Sequence, residues 1–166
     1  MKNKIVQDYS FYEHYHIVHI ASQLSNYKIA WALNKHAKTA FRKLPELTVC
    51  NPKTGIPLNC GLFNWISPNS IEYFLITSLE QQSTLSQETF LLIEGREQKD
   101  TVMRFIEKAT SFDFIFSIEE IHINTPTTTP KRRQLIEHLN NISIDLESHI
   151  TKIKEKLKYK PKKKKE

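Results

Sequence analysis

The chain has 166 residues, 39% hydrophobic and 25% charged, the proportions of a soluble globular protein of one domain that buries about 70% of its unfolded surface. No apolar run reaches the ~20 residues of a membrane helix, the opening MKNKIVQDYS holds no apolar signal-peptide core, and two cysteines are too few for a disulfide framework. The net charge of +6 is uneven: residues 151–166 hold nine lysines and two glutamates, a net of +7, and the other 150 hold fifteen Lys and Arg against sixteen Asp and Glu, a net of −1.

In chain order, residues 5–11 read as a first strand. Residues 17–37 then read as paired helices. Ile17, Ile20, Ala21 and Leu24 fall at i, i+3, i+4 and i+7, the spacing of one helical face, and Ser25 and Asn26 re-cap a second run over 27–37. That run is apolar nearly all round, with Tyr27, Ile29, Ala30, Trp31, Leu33 and Ala37, and is expected to be buried. Residues 44–49 are a candidate strand, followed by the turn chemistry of 51–55. Residues 58–66, 71–79 and 90–93 read as further strands, with polar loop at 80–87. After Gly95 the period returns to that of a helix, Asp100 being the cap and Val102, Phe105, Ile106 and Ala109 the apolar face; residues 112–123 return to a strand pattern.

The C-terminal region begins a helix at Thr129 and Pro130, a cap and a first-turn proline. Leu135, Leu139, Ile142, Leu146, Ile150, Ile153 and Leu157 recur with spacings of four and three, an eleven-residue period of about 3.67 residues per turn that gives a nearly straight helix with one narrow apolar stripe. Two readings stand: the stripe covers the protein's own sheet or helices, or it binds a second copy or a partner helix. The expected class is α+β, a mostly antiparallel sheet with helices packed on one face plus a long C-terminal helix. Its expected parts are a domain over 1–124, a linker and amphipathic helix over 125–158, and a disordered lysine-rich tail over 159–166.

Apparent catalytic motifs are weak. Ser25-x-x-Lys28, Lys53-Thr54-Gly55 and Ser67-x-Asn69 reproduce the three signatures of serine β-lactamases, but in the wrong order and within too short a span for that fold. Cys50 and Cys60 lie ten residues apart, unlike the close pairs of zinc sites, even with His14, His16 and His19 upstream. His14 and His16 alternate as on an extended segment, whereas His16 and His19 share a helix face. Three glycines, at 55, 61 and 95, exclude a P-loop or dinucleotide fingerprint. Glu119 and Glu120 are adjacent on an expected strand, so their carboxylates point to opposite faces. No metal or cofactor is expected, and nothing in the pattern argues for an enzyme.

The stretch 19–37, HIASQLSNYKIAWALNKHA, with IEYFLITS, FLLIEG and FDFIFSIEEI, resembles the IPExxVDY family of small bacterial proteins over residues 4–123. The residues carrying the likeness are Leu24, Tyr27, Lys28, Trp31, Leu33, Asn34 and Lys35, with the strand from Phe90 to Gly95. The naming motif departs: Gln81, Gln82 and Ser83 stand where Ile-Pro-Glu is expected and Gln87, Glu88 and Thr89 where Val-Asp-Tyr is expected, leaving only the acidic Glu88. The resemblance implies a fold and no reaction.

The leading functional expectation is a cytoplasmic, non-catalytic interaction or adaptor protein, using the C-terminal helix for self-association or a protein partner, with no membrane contact. The alternatives are an RNA- or DNA-associated accessory protein and an enzyme of unknown class. In the first of these, Lys158, Lys160, Lys162, Lys163, Lys164 and Lys165 contact phosphates weakly and without sequence readout.

Overall fold

The structure, a computed structural model, describes residues 10–24, 27–50, 55, 57–78, 87–95, 99–123 and 129–158. A 3-10 turn, Ser10–His14, leads into strand β1, Tyr15–Ser22, followed by helix α1, Tyr27–His36. Strands β2 (Arg42–Lys43), β3 (Leu47–Cys50), β4 (Pro57–Ile66), β5 (Glu72–Ser78) and β6 (Gln87–Glu94) come next. Helix α2 (Lys99–Thr110), strand β7 (Ile115–Ile121) and helix α3 (Pro130–Lys158) complete the order. The seven strands form one sheet, β2-β4-β5-β6-β1-β7, with β3 also paired to β4, and every pairing is antiparallel. The class is α+β.

The middle of the chain forms the paired strands that its β-branched and aromatic runs predict. Residues of β4 and β5 pair from Cys60 with Ser78 to Ile66 with Glu72. The reversal between them is closed by Ser67, whose N–H donates to the Ile71 carbonyl at 2.9 Å and whose Oγ accepts from the Ile71 N–H at 3.2 Å. Ser67 is therefore a turn residue, and Ser70 takes a φ of 64° to complete the bend. Gly95 holds a φ of 106°, and its N–H closes the end of β6 onto the His14 carbonyl at 2.9 Å.

Two expectations are corrected. Residues 17–22 are not helical; they belong to β1, which lies between β6 and β7. Ile17, Val18, His19 and Ile20 are all buried, so both faces of the strand are covered and the apolar side chains run continuously instead of alternating. Such a run lacks the period-two signal, and its helix-like spacing is coincidental. The β-branched Ile17, Val18 and Ile20 fit the pleated surface better than a helix. The expected strand over 5–11 falls partly outside the described residues, and its described end belongs to the 3-10 turn.

Each sheet face has its own core. On one, Val18, Ile20, Phe63, Leu75, Leu91 and Ile93 pack with Ile29, Ala30 and Leu33 of α1 and with Val102 and Ala109 of α2. On the other, Ile17, Leu47, Val49, Leu62, Phe74, Ile76, Phe90 and Leu92 pack with Leu135, Leu139, Ile142, Leu146 and Ile150 of α3. The apolar stripe of α3 is thus spent on the protein's own sheet, each buried side chain contributing about 1.5–3 kcal/mol of transfer free energy. Three polar contacts seat the helix. The Tyr12 hydroxyl donates to the Leu139 carbonyl, the His149 Nε2–H donates to the Pro45 carbonyl at 2.9 Å, and Lys154 Nζ lies 3.6 Å from Glu72 Oε1.

Because Leu139 is fully buried between α3 and the sheet, Leu139→Ala is expected to lower the unfolding free energy by about 2–5 kcal/mol in urea titration. Lys152→Ala, at an exposed position of the same helix, should stay within about 0.5 kcal/mol of the parent. Equal midpoints for the two variants would mean that the stripe is not docked.

Candidate functional site

Two surfaces stand out. The first is a cleft of about 440 Å³ where β1 and β7 meet the 3-10 turn and the start of α2, lined by Tyr12, Tyr15, His16, Lys99, Glu120 and His122 among others. Within it His16 Nδ1 lies 2.8 Å from Glu120 Oε1, both side chains mostly covered. The pairing follows from the register. Val18 faces Glu120 across the β1–β7 ladder, so Glu120 shares a sheet face with His16, two residues away along β1. His19 faces Glu119 on the opposite side of the sheet, beside Phe90 with ring centroids 5.5 Å apart. Glu119 and Glu120 do therefore part to the two faces, and His16 and His19 part with them. The carboxylate fixes the orientation of the His16 ring, and the cleft walls add two phenols. Burial pushes the Tyr12 phenol well above its ordinary range; burial first, and then the carboxylates of Glu72, Glu94 and Glu147, push Tyr15 up to about 12. Among the described residues no three His, Cys, Asp or Glu side chains converge in a metal-binding arrangement.

The second surface is the outer face of α1. Its inner residues Ile29, Ala30, Ala32 and Leu33 are buried, but Trp31 is 62% exposed and Tyr27 60%. This corrects the expectation of a helix buried all round. The helix lies on a single sheet, and among the described residues no second layer covers its far side. Lys35 Nζ sits 5.1 Å from the Trp31 ring centroid, a cation–π contact. Asn34 anchors the following chain: its Oδ1 accepts from the Thr39 hydroxyl and the Phe41 N–H, both at 2.8 Å, and its Nδ2–H donates to the Phe41 carbonyl at 3.1 Å. Phe41 in turn reaches Trp65, which stacks toward Tyr73 at 4.6 Å.

Charge marks the same surface. Between Glu13 and Glu46 the chain has Lys28, Lys35, Lys38, Arg42 and Lys43 and no Asp or Glu. Lys28, Lys35 and Lys38 are exposed, and none of them pairs with a carboxylate among the described residues. Lys108 of α2 reaches the Ala37 carbonyl at 3.4 Å and adds a further cation at the helix end. The near-neutral sum for residues 1–150 conceals this segregation. The signal was present in the sequence: Lys28 and Lys35 are seven apart and flank Trp31, which places all three on one side of a helix.

No family model, curated protein or solved structure matches the chain.

The other candidate residues fall as follows. Leu135, Leu139, Ile142, Leu146 and Ile150 are buried under the sheet and Ile153 is half-buried, so this face is not open to a partner helix; Leu157 lies in α3, its side chain outside the described part. Lys158 is the last residue of α3, and Lys160, Lys162, Lys163, Lys164 and Lys165 lie outside the described residues. Cys60 is buried in the core that α3 covers. Of the β-lactamase-like triplets, Ser25, Lys53 and Thr54 fall outside the described residues and Ser67 serves its turn. No helix among the described residues is long and apolar enough to cross a membrane.

The raised tyrosines carry a pH signature. A phenol whose folded pKa exceeds its unfolded value of about 10 stabilises fully below pH 10 and loses that contribution as pH rises toward the folded value, for Tyr15 about 12. Unfolding free energy is therefore expected to fall between pH 10 and about 12. Tyr15→Phe should lessen the slope by at most one proton's worth, about 1.4 kcal/mol per pH unit. Urea midpoints measured across that range check it, and an unchanged slope would show that folding does not raise the Tyr15 pKa.

Proposed function

We propose that this protein is a non-catalytic interaction protein of the cytoplasm, an adaptor that receives a partner on the outer face of α1. The observation that carries the reading is the exposure of Trp31, with Tyr27 one turn before it. Tryptophan and tyrosine carry much of the binding energy at protein interfaces, where their large surfaces are covered at small entropic cost. Folding does not ask for them in water at these positions, since the inner residues of α1 already fill the core. The reading replaces the stripe of α3 as the docking element, because that stripe is covered. For residues 4–123 we also propose membership of the IPExxVDY family. Of the residues that carry that resemblance, Leu33 is core, Leu24 packs at the core's margin and Asn34 holds the turn after the helix. Tyr27, Lys28, Trp31 and Lys35 face solvent.

A photo-crosslinking amino acid placed at position 31, with position 152 as exposed control, is expected to give discrete adducts in living cells at 31 alone. Trp31→Ala should remove about 0.5 kcal/mol or less of folding free energy. Identical adduct patterns at the two positions, or none at 31, would sink the reading.

A further inference from the structure

We infer that the partner received by α1 is an acidic polypeptide segment with apolar residues at helical spacing. The inference rests on the reading of the outer face of α1 as a docking surface, and adds what that surface selects.

Three observations point to this chemistry. The first is sign. The exposed residues of α1 and the turn after it supply Lys28, Lys35 and Lys38, Lys108 joins them from α2, and α1 itself contains no acidic residue. A partner of like sign would be repelled, and one of opposite sign is both attracted and oriented. The carboxylates nearest in sequence on the neighbouring elements, Glu107 and Asp113, lie on α2 and in the loop whose Phe112 and Phe114 flank His36, toward the C-terminal end of α1. The second is spacing. Tyr27, Trp31 and Lys35 recur every four residues, so two aromatic side chains and one cation form a row along the helix, about 6 Å apart by helical rise. An apolar residue every third or fourth position on a partner helix meets such a row, with carboxylates between them opposite the lysines.

The third observation separates a polypeptide from a nucleic acid. A single strand binds by stacking bases on open aromatic faces that line a groove tracking the backbone. Here one face of the Trp31 ring holds the Lys35 ammonium, and the two aromatics stand on a convex helix. That arrangement leaves the ring's edge and far face for side-chain packing and sets a cation beside the apolar contact, where a carboxylate meets it in partly excluded water.

The test uses the full chain and a fluorescein-labelled peptide of glutamates with leucines at every third and fourth position, alongside a labelled single-stranded oligothymidylate, both followed by anisotropy. The peptide is expected to bind, Trp31→Ala to raise its Kd about tenfold or more, and Lys35→Glu to raise it comparably. Oligothymidylate binding, if any, should be unaffected by Trp31→Ala. Peptide binding indifferent to both substitutions would place the attraction in the lysine-rich C-terminal region and overturn the inference. A Trp31-dependent affinity for oligothymidylate instead would assign the face to nucleic acid. A doubled mass in light scattering without peptide, abolished by Trp31→Ala, would assign it to a second copy. If crosslinks at position 31 persist while the acidic peptide does not bind, the docking face stands and its acidic selectivity is refuted. If the crosslinks are absent as well, both fall.

Discussion

An antiparallel sheet that carries large apolar side chains on both faces must be covered on both, and most of this architecture follows from that requirement. Phe74, Phe90 and Leu92 project to one side, and Leu75, Leu91 and Ile93 to the other. The first set needs a single long cover, supplied by α3. The second is divided between α1 and α2, which lie on the other face with a row of aromatic side chains, Phe41, Trp65 and Tyr73, closing the margin near β2. The Tyr12 hydroxyl, seated on the Leu139 carbonyl, ties the turn that begins β1 to the helix that covers it. The cover of one face and the start of strand β1 are thus held by one buried contact.

The same requirement explains which parts of the fold could be read from sequence. Helix α2 was legible because it has one face toward water, so polarity alternates with the period of the helix; β4, covered on both faces by Leu62 and Phe63, was legible from its strand-forming residues and the turn that ends it. Strand β1 was not, since a strand buried on both sides loses the contrast that marks its period, and Ile17, Ile20 and Ala21 happened to fall at helical intervals. The opposite error occurred at α1. Its apolar composition suggested burial, but composition does not say how many layers surround a helix. The lysines at positions 28 and 35 marked the outer side, and only the placement of Ile29 and Leu33 against the sheet made that marking decisive. For α3, periodicity gave the stripe but not its occupant, because an apolar stripe has the same pattern whether it meets its own sheet or another chain.

The two candidate sites differ in what their geometry commits to. In the cleft, groups of both kinds meet: Glu120 is engaged by His16, and Lys99 shares the walls with Glu13. Mixed signs and phenols pushed toward their neutral forms suit a structural corner, where Tyr15 is held beside three carboxylates by burial. On α1 the charges are of one sign and meet no carboxylate among the described residues, and the exposed apolar area belongs to the two residue types best suited to an interface.

Rigidity strengthens the case for α1. Binding energy is lost when a surface must be ordered as the partner arrives. The inner residues of α1 are fixed in the core, and Asn34 clamps the chain that leaves it through three hydrogen bonds, two of them to the backbone of buried Phe41. Lys35 Nζ lies over the Trp31 ring, so the most exposed aromatic side chain of α1 has a preferred orientation before any partner binds. A helix held from below and restrained at its outermost ring presents its contact groups at low entropic cost, which the flexible lysine stems alone would not do. The aromatic pair therefore supplies position and apolar contact, and the surrounding cations supply selection by charge.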